Sequence, residues 1–231
     1  MSTVLITGAN RGLGLEFCQQ YAEDGWQVVA CCRDVSTATA LQQLADQYPD
    51  IQLETLDVTD FSQIDALSRK LSSLTIDVLI NNAGVFGDDS EHRFGHLDYQ
   101  IWRDTLVINA QAPVKMAEAF LAQVQRSEQK LIATISSLMG SIADNGSGGS
   151  ILYRSSKAAV NAAMKSLAID LKKDGIGVLI FHPGWVKTDM GGSNAPLRPV
   201  DSIAGMRQVM ANFSLEKSGD FLRYDGEVMP W

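Results

Sequence analysis

Thr7-Gly8-Ala9-Asn10-Arg11-Gly12-Leu13-Gly14 follows directly on the apolar run Val4-Leu5-Ile6, and its reading decides the fold. The apolar run predicts a short buried strand ending at Thr7. An amphipathic helix is expected to start near Gly12, carrying Leu13, Leu15, Phe17 and Cys18 inward. Between them the chain must turn sharply, which glycine permits because it lacks a Cβ and tolerates positive φ. The first turn of such a helix leaves amide groups unpaired, with the positive end of the helix dipole facing outward. That combination suits an anion such as a pyrophosphate. Glycines at this spacing also occur in ordinary turns, so the remainder of the chain has to carry the case.

The rest of the chain repeats the strand–helix alternation. Further strands are expected at Trp26–Cys32, Ile51–Leu56, Ile76–Ile80, Leu131–Ile135, Ile176–Phe181 and Phe221–Tyr224. Helices are expected at Thr37–Tyr48, from a cap at Asp60 to Ser72, at Tyr99–Val124 with a bend at Pro113, at Ile151–Lys172 and at Ser202–Asn212. Alternation with short connections predicts one α/β domain over residues 1–231, a Rossmann-like, doubly wound parallel sheet with helices on both faces. In such sheets ligands bind beyond the carboxyl ends of the strands, where the informative loops of this sequence all fall.

Composition narrows the partners. The formal net charge is −8, and no run of Lys or Arg offsets it, so neither a nucleic acid nor an anionic membrane surface is expected as a partner. No apolar stretch approaches the length of a membrane span. Cys18, Cys31 and Cys32 suggest neither a disulfide framework nor a metal site, and a reducing, cytoplasmic setting is expected. His92, His96 and His182 lack metal-ligand spacing.

Tyr153-Arg154-Ser155-Ser156-Lys157 places a phenol and an ammonium four residues apart, on one face of the predicted helix. A tyrosine with an ordinary pKa of ~10 becomes a useful acid–base group when a neighbouring cation favours its phenolate. On its own this pair is also what two surface side chains look like.

Joined to the glycine stretch, it resembles the short-chain dehydrogenase/reductase family. The resemblance runs from Val4 to about Met190 through Thr7-Gly8, Gly12 and Gly14, Asp57-Val58, Asn81-Asn82-Ala83-Gly84, Asn109, Ser137, Tyr153 with Lys157, and Pro183-Gly184. The ending Phe221-Leu222-Arg223-Tyr224-Asp225-Gly226 with Pro230-Trp231 is similar to a narrower branch, the sniffer/C-factor-like carbonyl reductases.

The resemblance implies NADPH-dependent reduction of an aldehyde or ketone. Tyr153 would be the general acid, Ser137 a hydrogen-bond donor to the carbonyl oxygen, and Lys157 a ligand of the nicotinamide ribose that lowers the Tyr153 pKa. Asn109 would sit at the kink of the long helix and hold a water that links Lys157 to solvent. Gly8, Asn10, Arg11, Gly12, Leu13 and Gly14 would bind the cofactor at the glycine loop. Asp57 and Val58 would line the adenine pocket, and Asn82, Ala83 and Gly84 the adenosine side. Val186 and Thr188, after Pro183 and Gly184, would hold the carboxamide. Phe86, Leu138, Met139, Trp185 and Met190 could wall the substrate, beneath a mobile lid at Gly191–Pro199. Ser136 adjoins Ser137, which is preferred because Leu138-Met139-Gly140 follows it. The interval to Tyr153 is lengthened by Asn145–Ser150, an expected surface extension at the pocket rim.

Cofactor choice turns on the end of the second strand. An NAD site usually places a carboxylate there. Here the strand ends Cys31-Cys32-Arg33, with Asp34 expected to point away or to cap the next helix. Arg33, helped by Arg11, would pair with a 2′-phosphate, so NADPH is preferred over NADH. The alternatives are alcohol or hydroxysteroid oxidation with NAD(P), and a C-factor-like signalling protein that binds dinucleotide. A homodimer or homotetramer is expected by resemblance only.

Overall fold

The protein is described by a computed structural model covering residues 1–231. Seven parallel strands form one sheet: β1 (Thr3–Thr7), β2 (Gln27–Cys32), β3 (Ile51–Thr55), β4 (Val78–Asn81), β5 (Leu131–Ile135), β6 (Gly177–His182) and β7 (Phe221–Arg223). Their spatial order is β3-β2-β1-β4-β5-β6-β7. The order reverses between β1 and β4, which are paired through Val4–Val78, Leu5–Leu79 and Ile6–Ile80. Connections leaving these two strands diverge to opposite sides, and a crevice opens beyond their carboxyl ends.

Both sheet faces are buried, so the strands are nearly continuous apolar runs and the pleat sorts their side chains. Val4, Ile6, Leu179 and Phe181 face α1 (Gly12–Glu23), α2 (Thr39–Gln47) and α8 (Pro199–Ala211). Leu5, Val178 and Ile180 face α3 (Phe61–Lys70), α5 (Ala112–Ala119) and α7 (Ile151–Leu171).

The expected helix over Tyr99–Val124 is not continuous. It comprises α4 (Tyr99–Leu106), a π-helical turn at Val107–Gln111, α5, a break at Phe120 and α6 (Leu121–Gln125). Pro113, in the first turn of α5, has no N–H to give, and its ring crowds the carbonyl four residues back, that of Asn109. The widened turn accommodates both, and so falls on Asn109 itself. Helix α2 begins two residues later than expected, and α8 three residues earlier, with Pro199 in its first turn where a missing N–H costs nothing. The segment expected as a mobile lid is anchored: Leu197 exchanges two backbone bonds with Trp185 and Lys187, and Ala195 is fully buried.

Phe181, wholly enclosed on β6, tests how far the site depends on this core. Phe181→Ala should destabilise the fold by about 3–5 kcal/mol, read as a lower urea midpoint with little change in the slope of the transition.

Candidate active site

The glycine loop depends on the absence of side chains. Gly8 and Gly12 have φ of +66° and +55°. A Cβ on Gly14 would lie 2.1 Å from the Gly8 carbonyl oxygen, and one on Gly8 would lie 2.9 Å from the Cα of Ala83. The loop is stitched to the end of β4. The Asn82 carboxamide donates to the carbonyls of Thr7 (2.9 Å) and Gly8 (3.1 Å). In return the Thr7 hydroxyl accepts from the amides of Asn82 and Ala83 at 3.0 and 3.1 Å. At the start of α1, Arg11 contributes no side-chain cap and the first turn holds no acidic residue, which leaves the helix amides open to an anion. Asn10 is exposed here, and Leu13 is half-buried.

Arg33 stands exposed beyond β2. Asp34 is turned away into its own loop, accepting from the Ser36 amide (2.9 Å) and hydroxyl (2.6 Å), and it does not cap α2. Arg11 is not directed toward Arg33. Its guanidinium pairs at 2.7 Å with Asp189, on the loop after β6. On that loop Thr188 reaches the position a Gly12 Cβ would touch (3.5 Å), and its hydroxyl accepts from the Gly191 amide. Gly184 (φ +84°) follows Pro183 where a Cβ would strike Leu197, and Val186 is buried. Beyond β3, the Asp57 carboxylate accepts from the Thr59 amide and hydroxyl, while Val58 packs inward.

Tyr153 and Lys157 share the inner face of α7, with the Lys157 Nζ 5.6 Å from the centre of the Tyr153 ring. Both are almost wholly buried. Nζ donates to the Ile135 carbonyl at 2.9 Å, and burial lowers the Lys157 pKa to about 8. Burial raises the Tyr153 pKa to about 12, with the Ser137 hydroxyl beside it pulling the other way. Burial, not the Lys157 cation, therefore sets the Tyr153 phenol in this geometry, and the phenol keeps its proton at neutral pH.

The adjacent serines separate by direction. The Ser136 hydroxyl donates to Asn161 at 2.5 Å behind the site, whereas that of Ser137 faces Tyr153 and accepts from the Met139 amide at 3.1 Å. Asn109, buried in the π-helical turn, bonds both backbone groups of Val85 (2.9 and 2.8 Å) and donates to the Ser156 hydroxyl. Gly84 lies between Asn109 and Lys157: a Cβ there would be 3.3 Å from the Asn109 Oδ1 and 3.5 Å from the Lys157 Nζ.

Of the expected substrate wall, Phe86 packs on the Tyr153 ring at 4.8 Å and the Met190 sulfur lies 4.0 Å from the phenol oxygen. Leu138 and Met139 are half-buried, and Trp185 is exposed with its indole donating to the Gly191 carbonyl. His92 pairs with Asp89, and burial holds His182 neutral with a pKa near about 4.

Three contributors escape the sequence reading. Thr7 and Ser156 lie inside quoted motifs, yet only the fold shows what their hydroxyls bond. Asp88 sits in a stretch without pattern, and its carboxylate accepts from the amides of Leu152 and Tyr153.

The family model for short chain dehydrogenases matches residues 2–197. The chain belongs to the short-chain dehydrogenase family. With that membership, it is an NAD(P)-dependent oxidoreductase. Among curated relatives of this short-chain dehydrogenase, the C-signal of Myxococcus xanthus is 42% identical over 166 residues, 72% of this chain and 99% of that protein. Among solved structures, the carbonyl reductase Sniffer of D. melanogaster superposes with a TM-score of 0.94 at 34% identity, over the whole of both chains. The NADPH-bound carbonyl reductase from chicken fatty liver gives 0.92 at 34% identity, over 100% of this chain and 99% of that one.

The buried ammonium of this dehydrogenase carries a measurable cost. Between pH 8 and about 10.5 Lys157 is neutral when folded but still protonated when unfolded, so its contribution makes stability rise with pH through that window. Lys157→Met should therefore melt a few degrees higher than the parent at pH 6, with the gap closing above pH 8. An unchanged gap between pH 6 and pH 10 would contradict this assignment.

Proposed function

We propose that the chain is an NADPH-dependent reductase of aldehydes and ketones, with Tyr153 as the proton donor. The observation that carries this reading is the meeting of Tyr153, Ser137 and Lys157 at the carboxyl edge of the sheet, beside a glycine loop and helix end open to an anion. The cradle fits a dinucleotide, because the space a Cβ would fill at Gly8 and Gly14 is already taken by backbone and every first-turn amide of α1 lacks a side-chain cap. Gly8, Asn10, Arg11, Gly12, Leu13 and Gly14 would hold its pyrophosphate, Arg33 its 2′-phosphate, and Asp57, Val58, Asn82, Ala83 and Gly84 its adenosine. Pro183, Gly184, Val186 and Thr188 would hold the nicotinamide end. When bound, NADPH supplies the hydride that reaches the carbonyl carbon.

The residues of the chain manage the oxygen. Ser137 donates a hydrogen bond to it and stabilises the charge that develops there. Tyr153 transfers its phenolic proton to the same oxygen, a direction suited to an acid that burial keeps protonated. Lys157 holds positive charge beside the phenol and favours the phenolate left behind. Asn109 fixes the Val85 backbone and Ser156, and with them the wall against which Lys157 lies. Phe86 and Met190 present an apolar surface to the substrate. Similarity to Sniffer and to the chicken-liver enzyme, both carbonyl reductases and the latter NADPH-bound, supports the carbonyl class and NADPH. The Myxococcus C-signal favours a signalling role as the second reading. A built proton donor weighs against it, since binding alone needs none.

Titrating NADPH and NADH separately against intrinsic tryptophan fluorescence should show NADPH binding at least about ten-fold tighter. Arg33→Ala should erase most of that difference without weakening NADH. Equal affinities in the parent would remove the 2′-phosphate assignment. Tyr153→Phe should lower kcat for a test aldehyde by about 100-fold or more while leaving NADPH affinity within two-fold.

A further inference from the structure

Helix α7 carries the acid–base pair but does not cap itself. It follows Gly148, Gly149 and Ser150, all left-handed with φ of +65°, +67° and +43°, and the Ser150 side chain makes no bond to the first helical amides. Those amides need an acceptor from elsewhere. Asp88 provides it from the loop after β4, 64 and 65 positions earlier in the chain. Its Oδ1 accepts from the Leu152 amide at 3.2 Å and its Oδ2 from the Tyr153 amide at 2.7 Å. A carboxylate suits this place, since it meets the positive end of the helix and its bonds are charge-assisted.

The same loop makes two further contacts with the site. Phe86, two residues before Asp88, packs against the Tyr153 ring at a tilt of 34°. The loop and Gly149–Ile151 also border an open pocket of about 520 Å³, lined on the loop side by Asp88, Arg93, Phe94 and Leu97. One carboxylate thus holds the backbone of Tyr153 and ties a pocket-lining loop to it.

We propose that Asp88 is a positioning residue: it caps α7 from outside the helix, sets Tyr153 against Ser137, and locks the Phe86–Leu97 loop to the start of α7. The catalytic consequence rests on the carbonyl-reductase reading, whereas the capping itself does not. Both carboxylate oxygens are used, and an asparagine in the same place has one acceptor oxygen. Asn therefore restores part of the cap, and Ala none.

The experiment compares the parent, Asp88→Asn, Asp88→Ala and Tyr153→Phe as full chains, by hydrogen exchange and by NADPH-dependent reduction of 4-nitrobenzaldehyde. In Asp88→Ala, the amides of residues 151–156 are expected to exchange at least about ten-fold faster, while those of α1 keep their parental rate. The kcat should fall by about ten-fold, with NADPH affinity within two-fold of the parent, and Asp88→Asn should recover the larger part of both losses. Parental exchange at 151–156 in Asp88→Ala would overturn the cap. So would equal losses in the Asn and Ala variants, or faster exchange that extends into α1. Accelerated exchange with an unchanged kcat would overturn the positioning role. Full turnover in Tyr153→Phe would bring down the carbonyl-reductase reading, while the exchange data would still decide the cap.

Discussion

The site depends first on the bonds between Thr7 and Asn82. They lie where the strand order reverses, so the two connections that part company there are joined again at their roots. A glycine loop has little conformational preference of its own, and its carbonyls would otherwise be free to turn inward. The Asn82 carboxamide occupies the carbonyls of Thr7 and Gly8, and the Thr7 hydroxyl occupies the amides of Asn82 and Ala83. What remains uncommitted is the set of amides at the start of α1. The pyrophosphate site proposed at this loop rests on its other polar groups being engaged. The close approach of Gly8 to Ala83 is the steric side of the same arrangement.

The acid–base side of the crevice shows the opposite economy. Tyr153 and Lys157 are buried with few partners, whereas Asn109 is buried with its carboxamide engaged by Val85 and Ser156. Burial moves the phenol and the ammonium toward their neutral forms, one upward to about 12 and the other down to about 8. The two groups thus hold one proton each at neutral pH, but the lysine holds its proton far less firmly than it would in water. The Ile135 carbonyl provides the only hydrogen bond its ammonium makes. Burial of that ammonium costs the fold more than this one bond returns.

Much of this is legible in the sequence, for physical reasons that differ from element to element. Parallel strands buried on both faces must be apolar, so β1, β4, β5 and β6 announce themselves; the period of α3 and its Asp60 cap do the same. Glycines forced by backbone contact, and a Tyr and Lys one helical turn apart, are local patterns, and the fold gathers them at one edge as expected. The failures are non-local. That Pro113 would widen the turn at Asn109, and not simply bend the helix, depends on a buried side chain needing Val85 and Ser156 as partners. That Asp88 would meet the start of α7 depends on a contact between segments 64 residues apart, in a loop whose composition suggests only solvent. That Arg11 would turn to Asp189 depends on how the β6 loop folds over α1.

That last contact separates what is fixed in the crevice from what can exchange. Arg11 and Asp189 are 69% and 76% exposed, and an ion pair in water contributes about 0–1 kcal/mol. The roof over the glycine loop is therefore lightly held, and an anionic ligand competes for Arg11 only against a well-hydrated carboxylate. On the other side, Lys157 on Ile135 and Ser136 on Asn161 are buried bonds and Asn109 on Val85 is a partly buried one, where a lost partner leaves a desolvated polar group behind. The buried polar groups around Tyr153 are tied to the sheet and to α7, while the roof over the glycine loop is closed by a contact that water can replace. A ligand that enters and leaves with each turnover needs both: a rigid wall to react against and a cover that opens at little cost.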